Sequence, residues 1–212
     1  MNLFIAATDT DAGKTYVTRL LLEAFNGSGR PAAGFKPFCC GGREDAHSLL
    51  AAGAAGLSLD EINPVWLKTP ASPFAAALIE NRLLNMEAVM EAFHALIHRF
   101  DHVMVEGVGG WEVPLAPQYS AADFAEELAL PVLVVVNNKL GALNHTILTV
   151  RNIQSRNLKC AGIILNHVSA ERDSPSISNR RILEDMLDVP IIGEVMHGET
   201  SGCELLDAIL QC

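Results

Sequence analysis

The sequence predicts an α/β fold, a parallel sheet wrapped by helices on both faces, in one domain over residues 1–212. Three observations predict it. Short apolar runs rich in β-formers alternate with stretches of helical period along the 212 residues. Most of these runs are continuous rather than alternating, as in strands buried on both faces. Half of the residues are hydrophobic and 19% are charged, a balance that supports one sizeable core.

The elements follow in order. Leu3–Ala7 reads as the first strand. Thr15–Phe25 reads as a helix, with Val17, Leu20, Leu21 and Ala24 on one face and a stop at Asn26-Gly27-Ser28-Gly29. Ala32–Lys36 is the second strand, whereas Gly56 to Leu67 is weakly periodic and carries no assignable element. Helix Met86–Ile97 then leads into strand Val103–Glu106, and helix Ala122–Leu128 into strand Val132–Asn137. Helix Leu143–Gln154 precedes strand Ala161–Asn166; helix Ile177–Leu187, with Ser176 as its cap, precedes strand Ile191–Val195. Glu204 and Asp207 read as helix surface and Cys212 as a frayed end. In such a sheet, functional residues gather at the carboxyl ends of the strands.

Bulk properties exclude several function classes. A net charge of -10, with Arg180-Arg181 as the only basic pair, opposes binding to nucleic acid and to acidic membrane surfaces. The longest apolar block, Leu128 to Val136, is broken by Pro131 and falls short of the roughly 18 residues of a membrane span. The first residues lack a basic region, so the expectation is a soluble, cytoplasmic protein without a cleaved leader. None of the five cysteines forms a C-x-x-C pair; Cys39, Cys160, Cys203 and Cys212 read as core or tail thiols of a reducing compartment.

The chemistry concentrates after strand ends. Thr8-Asp9-Thr10-Asp11-Ala12-Gly13-Lys14-Thr15 lies between the first strand and the first helix. There, backbone N–H groups and a helix N-terminus converge on phosphate oxygens. Lys14 suits the β- and γ-phosphates, Thr15 suits Mg²⁺, and Gly13 permits close backbone approach. The usual pattern has a glycine at position 8 or, in a longer variant, at position 7; this chain has Thr8 and Ala7. A bare Gly-Lys-Thr also fits a plain strand–turn–helix, and its position is what favours phosphate binding.

Glu106 ends a hydrophobic strand and is followed by Gly107-Val108-Gly109-Gly110-Trp111. An acidic residue there holds magnesium directly or through water, and the alternative is a solvated Glu at a glycine-rich turn. Asp45 is a third oxygen donor or a helix-start acid favoured by the dipole. Lys36, at the edge of the second strand, offers a second cation for charge that develops during phosphoryl transfer, unless it is a surface lysine at a turn. His94 and His98 are four apart on one helix, but no third ligand accompanies them, so exposed positions are the better reading.

Together these motifs resemble the dethiobiotin synthetase family nearly end to end. The matching pieces are the phosphate loop, Gly34-Phe35-Lys36-Pro37, Glu44-Asp45-Ala46, Ala71-Ser72-Pro73 and Val105 to Trp111. Asn138-Lys139-Leu140-Gly141-Ala142-Leu143-Asn144-His145, Leu165-Asn166 and Pro190 to Val195 continue the match. The resemblance implies a P-loop NTPase-like sheet, a homodimer, and ATP with Mg²⁺ as cofactors. It also implies the carboxylation of 7,8-diaminopelargonic acid with CO₂ or bicarbonate, phosphorylation of the carbamate and closure of the ureido ring. By motif, Lys36 and Lys14 are catalytic, and Thr15, Asp45 and Glu106 hold the metal. Nucleotide contacts fall to Asp11, Ala12, Gly13, Lys14, Thr15 and Tyr16, to Gly107, Val108 and Gly109 beside the metal residues, and to Asn166 and His167. Substrate contacts fall to Thr10, Cys40 and Ser72, and to Gly141, Ala142, Leu143 and Asn144 of the neighbouring subunit, whose helix N-terminus suits a carboxylate.

Three positions depart from the family pattern: Ala7 replaces the loop's first glycine, Cys40 a substrate-contacting serine, and Met196-His197-Gly198 lacks a proline beside the base. A thiol is the weaker hydrogen-bond partner. The rival readings are a partition-ATPase-like nucleotide switch and a related ATP-dependent synthase acting on another acid. The switch proteins carry an additional early lysine in the loop, and this chain has none between Met1 and Gly13.

Overall fold

The computed structural model describes residues 1–171 and 173–211. In chain order, β1 (Asn2–Ala7), α1 (Lys14–Gly27), β2 (Ala32–Phe35), β3 (Phe38–Cys40) and α2 (Glu44–Ala52) come first. Then follow α3 (Leu59–Ile62), β4 (Val65–Leu67), α4 (Pro73–Ile79), α5 (Met86–Arg99) and β5 (His102–Glu106). Next are β6 (Pro114–Ala116), β7 (Tyr119–Ser120), α6 (Ala121–Leu128), β8 (Val132–Asn137) and α7 (Ala142–Ser155). The last are β9 (Cys160–Asn166), α8 (Ser174–Met186), β10 (Ile191–Val195) and α9 (Cys203–Gln211).

Six strands form one parallel sheet in the order β10-β9-β8-β1-β5-β2. They are the six strands expected from the apolar runs. The period of two in each strand divides the core into halves. Leu3, Ile5 and Ala7 of β1 join Leu133 and Val135 of β8 beneath α1, α2 and α9. Phe4 and Ala6, with Val103, Val105, Val132 and Val134, face α5, α6, α7 and α8 on the other side. Both faces are covered, so neither face needs polar positions, and this explains the continuous runs.

The helix expectations hold to within one or two residues at most ends, with one exception. Ser176 does not cap the helix after β9. That helix starts at Ser174, and Asp173 accepts from the Ser176 N–H at 3.0 Å as its cap. Pro175 fits the first turn, where its missing N–H costs nothing. The weakly periodic stretch holds α3 and β4: Ser58 and Glu61 close a capping box on α3, and β4 pairs only with β3. Elements of four and three residues are too short to show a period. The reading of Cys212 lies outside the described residues. Among the described cysteines, Cys39 is buried, Cys40 and Cys160 are half-buried, and Cys203 is exposed.

Candidate active site

The carboxyl ends of β1, β2 and β5 meet at one cavity of about 540 Å³. Hydrophobic strands carry the chain to this edge, and the residue that follows each strand becomes functional. At the end of β1 the backbone turns through Asp11 (φ 57°) and Gly13 (φ 84°) into α1, whose N-terminus no side chain caps. Ala7 is buried in the core beneath α1, so the loop takes its curvature from these two later residues. Gly13 is required twice over: it is left-handed, and a Cβ there would lie 2.1 Å from Asn166 Nδ2. Asn166 Nδ2 itself donates to the Ala12 carbonyl at 2.9 Å, tying the end of β9 to the loop.

Lys36 follows β2 immediately and is 4% exposed. Its ammonium donates to Glu106 Oε1 at 2.6 Å and lies 2.9 Å from Asp45 Oδ2. Its backbone is held as firmly: its N–H donates to the Ile62 carbonyl at 2.8 Å, and Asn63 Nδ2 donates to its own carbonyl at 2.7 Å. Glu106, at the end of β5, is fully buried and also accepts from Thr15 Oγ1 at 2.6 Å. Burial alone would depress the Lys36 pKa, but Glu106 and Asp45 outweigh it and hold the group protonated well above the usual lysine range. For Asp45, burial pushes upward, and Lys36 together with Thr15 more than offsets it, so its pKa lies below the usual value.

Lys14 Nζ donates to the Gly109 carbonyl at 2.5 Å, which joins the phosphate loop to the glycine turn after Glu106. Burial, and then the charge of Lys36, push its pKa down to about 8. Two lysines thus face one cavity with too few negative charges around the first of them. An anion entering beside Lys14 supplies the missing charge.

One atom bears on a metal. Glu106 Oε2 is the buried side-chain oxygen that has no hydrogen-bond partner among the described residues. A carboxylate with one oxygen left over, whose other oxygen takes the Thr15 hydroxyl and a lysine shared with Asp45, fits a hard cation that takes one or two carboxylates and fills its shell with phosphates and water. No described group of three or more His, Cys, Asp or Glu side chains is arranged to hold a metal, and His94 and His98 are exposed on α5.

The structure brings together Thr10, Asp11, Gly13, Lys14, Thr15, Lys36, Cys40, Asp45, Ser72, Val108 and Gly109 around the cavity. Burial pushes the Cys40 thiol up to about 11, so it faces the cavity as a neutral group. Ala12 and Gly107 are buried and do not line the cavity. Tyr16 turns away on α1 and hydrogen-bonds the Glu199 carbonyl. His167 lies in a buried polar cluster, with Nε2 2.8 Å from Glu194 Oε2 and 3.3 Å from Asn138 Nδ2. Gly141, Ala142, Leu143 and Asn144 open α7 outside this cavity, and Gly141 and Asn144 are exposed. Phe38, Cys39 and Pro70 line the cavity without having been expected there, and Asn63 supports Lys36 from the unassigned stretch. The Gly41-Gly42 pair and Ala71-Ser72-Pro73 were the available signals for this wall.

The sheet, the loop and the buried lysine–glutamate pair define a P-loop nucleotide-binding protein. Residues 1–202 match the family model described as an AAA domain. The cell division ATPase MinD of Pyrococcus furiosus superposes with a TM-score of 0.61 at 17% identity, covering 99% of this chain and 98% of that one. Cobyrinic acid a,c-diamide synthase of Mycobacterium smegmatis, solved with an ATP analogue and magnesium, gives 0.57 at 15% identity over 98% and 91% of the two chains. At these identities the likeness is one of fold.

The chain belongs to the ATP-dependent dethiobiotin synthetase family. It is 45% identical over 198 residues to the ATP-dependent dethiobiotin synthetase BioD of Akkermansia muciniphila, covering 93% of each protein. It is 41% identical over 202 residues to the BioD of Aromatoleum aromaticum, covering 92% of this chain and 89% of that protein.

Proposed function

We propose that the chain closes the ureido ring of dethiobiotin: 7,8-diaminopelargonic acid and CO₂ are joined at the expense of ATP, with release of ADP and phosphate. The observation that carries this reading is the Lys14–Lys36–Glu106–Asp45 cluster at one cavity, in a chain of the dethiobiotin synthetase family. One amine of the substrate takes up CO₂ as a carbamate, the γ-phosphoryl group passes to a carbamate oxygen, and the second amine attacks the carbamate carbon as phosphate leaves. Phosphoryl transfer of this kind is positioning and charge stabilisation.

Lys14 and Lys36 flank the γ-phosphate. Leaving the Gly109 carbonyl, Lys14 exchanges a neutral acceptor for phosphate oxygens and regains the charge partner it lacks. Lys36 is held protonated by its carboxylates and meets the negative charge that builds on the transferring group. Thr15, Asp45 and Glu106 would hold Mg²⁺, whose chemistry is to neutralise phosphate charge. Thr10, Cys40 and Ser72 line the end of the cavity left for the diamine.

Asn166 and His167 stand beside the nucleotide's base, with Asn166 already anchored to the loop. Lys14 and Lys36 are the basic residues among the described ones that line the cavity, and both face the phosphate, so the substrate's remote carboxylate is left without a cation here. Gly141 to Asn144 supply a partner for it from a second copy of the chain, because no side chain caps the N-terminus of α7 and Gly141 and Asn144 are exposed there. The working protein is therefore a homodimer. The fold shared with MinD leaves a nucleotide switch as the rival, and an assay separates the two. With diaminopelargonate, bicarbonate and Mg-ATP, phosphate release rises on addition of the diamine; release indifferent to the diamine contradicts the proposal.

A further inference from the structure

The loop joining β8 to α7 is rooted in a buried polar cluster although its tip is exposed. Leu140 is 75% exposed, yet Asn138, two residues earlier, is 5% exposed. Four side-chain hydrogen bonds link this root to the first half of α8. Asn179 Nδ2 donates to Asn138 Oδ1 at 2.8 Å and to the Lys139 carbonyl at 3.3 Å. Asn138 Nδ2 donates to the Ser176 carbonyl at 3.1 Å, and the Leu140 N–H donates to Asp173 Oδ2 at 2.6 Å.

Stability alone does not explain the arrangement. Buried amides contribute little net stability compared with apolar packing, but they fix direction. Asn179 is 2% exposed, and its Nδ2 donates twice to this loop. What lies immediately downstream is Gly141, left-handed at φ 90°, and the first turn of α7. The orientation of that turn is set by where residues 138–140 are held.

We infer that Asn179 and Asp173 are positioning residues for substrate: through the β8–α7 loop they aim the N-terminus of α7 at the carboxylate of the diamine bound by the neighbouring subunit. The inference rests on the proposed role of Gly141 to Asn144. Neither residue lines the cavity. Asn179 reaches the nucleotide side through Asn138, which lies 3.3 Å from His167, whereas Asp173 holds the loop tip at Leu140. The larger effect therefore falls on diamine recognition in the partner, and Asp173 separates it most cleanly from nucleotide binding.

The test uses steady-state kinetics of the full-length dimer. Asn179→Leu and Asp173→Ala are each expected to raise KM for diaminopelargonate roughly tenfold. KM for ATP should stay within about twofold, since uniform binding of the other substrate is untouched. Asp173→Asn, which keeps an oxygen acceptor for the Leu140 N–H, should restore KM. Mixed dimers supply a readout that a general packing defect would not produce. When one chain carries Lys36→Ala and the other Asn179→Leu, the working site receives an intact α7 and keeps the normal KM. When one chain carries both substitutions and its partner neither, the working site shows the raised KM.

An unchanged diamine KM in Asn179→Leu and Asp173→Ala, or an equal rise for both substrates, overturns the inference. Asn144→Asp, which sets a carboxylate where the carboxylate of the diamine would bind, separates this failure from failure of the underlying reading. If Asn144→Asp raises the diamine KM while the α8 variants do not, the positioning role alone is lost; if none of the three raises it, both fall.

Discussion

Removing the Lys36 ammonium while leaving its carboxylates in place tests the electrostatic design of the site. In Lys36→Ala, the fully buried Glu106 keeps the Thr15 hydroxyl at 2.6 Å as its donor and loses its cation at 2.6 Å. Asp45, whose side chain is 51% exposed, loses little, because water replaces the lysine. Stranding a buried carboxylate in this way costs about 3–5 kcal/mol. The double variant Lys36→Ala with Glu106→Gln removes the stranded charge, so its loss of stability should fall short of the sum of the single losses by about 1–3 kcal/mol. Urea unfolding at neutral pH without divalent cations measures the four corners of the cycle. Millimolar Mg²⁺ should stabilise Lys36→Ala more than the unaltered chain, because a cation bound only by the native state takes over the missing charge. Turnover should be lost while nucleotide binding survives. A loss below about 1 kcal/mol for Lys36→Ala, with no coupling to Glu106→Gln, would refute the reasoning, since those magnitudes belong to exposed pairs.

Two other outcomes follow from single positions. Gly13→Ala must relieve a 2.1 Å approach to Asn166 Nδ2 and adopt φ 84°, at a cost of about 1–3 kcal/mol; calorimetric titration should show ATP affinity falling at least roughly tenfold, which corresponds to 1.4 kcal/mol. Asp123 links α6 to Arg156, at the end of α7 on the same face of the sheet. Burial pushes its carboxyl upward, but Arg156 and the Ser120 donors prevail and hold it at about 2. A depressed folded-state pKa gives stability that is present above the unfolded value of about 3.9 and is lost as pH falls towards 2. The contribution is below about 1 kcal/mol for so exposed a pair. Asp123→Asn should therefore narrow the difference in melting temperature between pH 5 and pH 2.5, and an unchanged difference would count against the assignment.

The central sheet was legible because most of its strands carry short apolar runs buried on both faces, as in Leu3–Ala7 and Val132–Val136. The site was legible where a polar residue ends such a run: Lys36, Glu106 and Asn166 all interrupt hydrophobic sequence at a strand's carboxyl end. Elements shorter than a period were not. The segments β3, α3 and β4 contain three or four residues each, and they supply Asn63 and the wall formed by Phe38 and Cys39. The cap of α8 was misplaced because Asp173, Ser174 and Ser176 are all good cap residues, and the choice among them depends on which reaches the first free N–H groups. Asn179 gave no signal at all, since a partner 41 residues away leaves no local pattern.

In the proposed reaction the site builds a ureido carbonyl from CO₂ by way of a phosphorylated carbamate. Mass spectrometry of the product formed from diaminopelargonate, ¹³C-bicarbonate and Mg-ATP follows that carbon. Dethiobiotin with the label in its ring carbonyl is the expected product, with one ADP and one phosphate released for each ring closed. Phosphate released without labelled dethiobiotin, or a product without the label, would rule the reaction out.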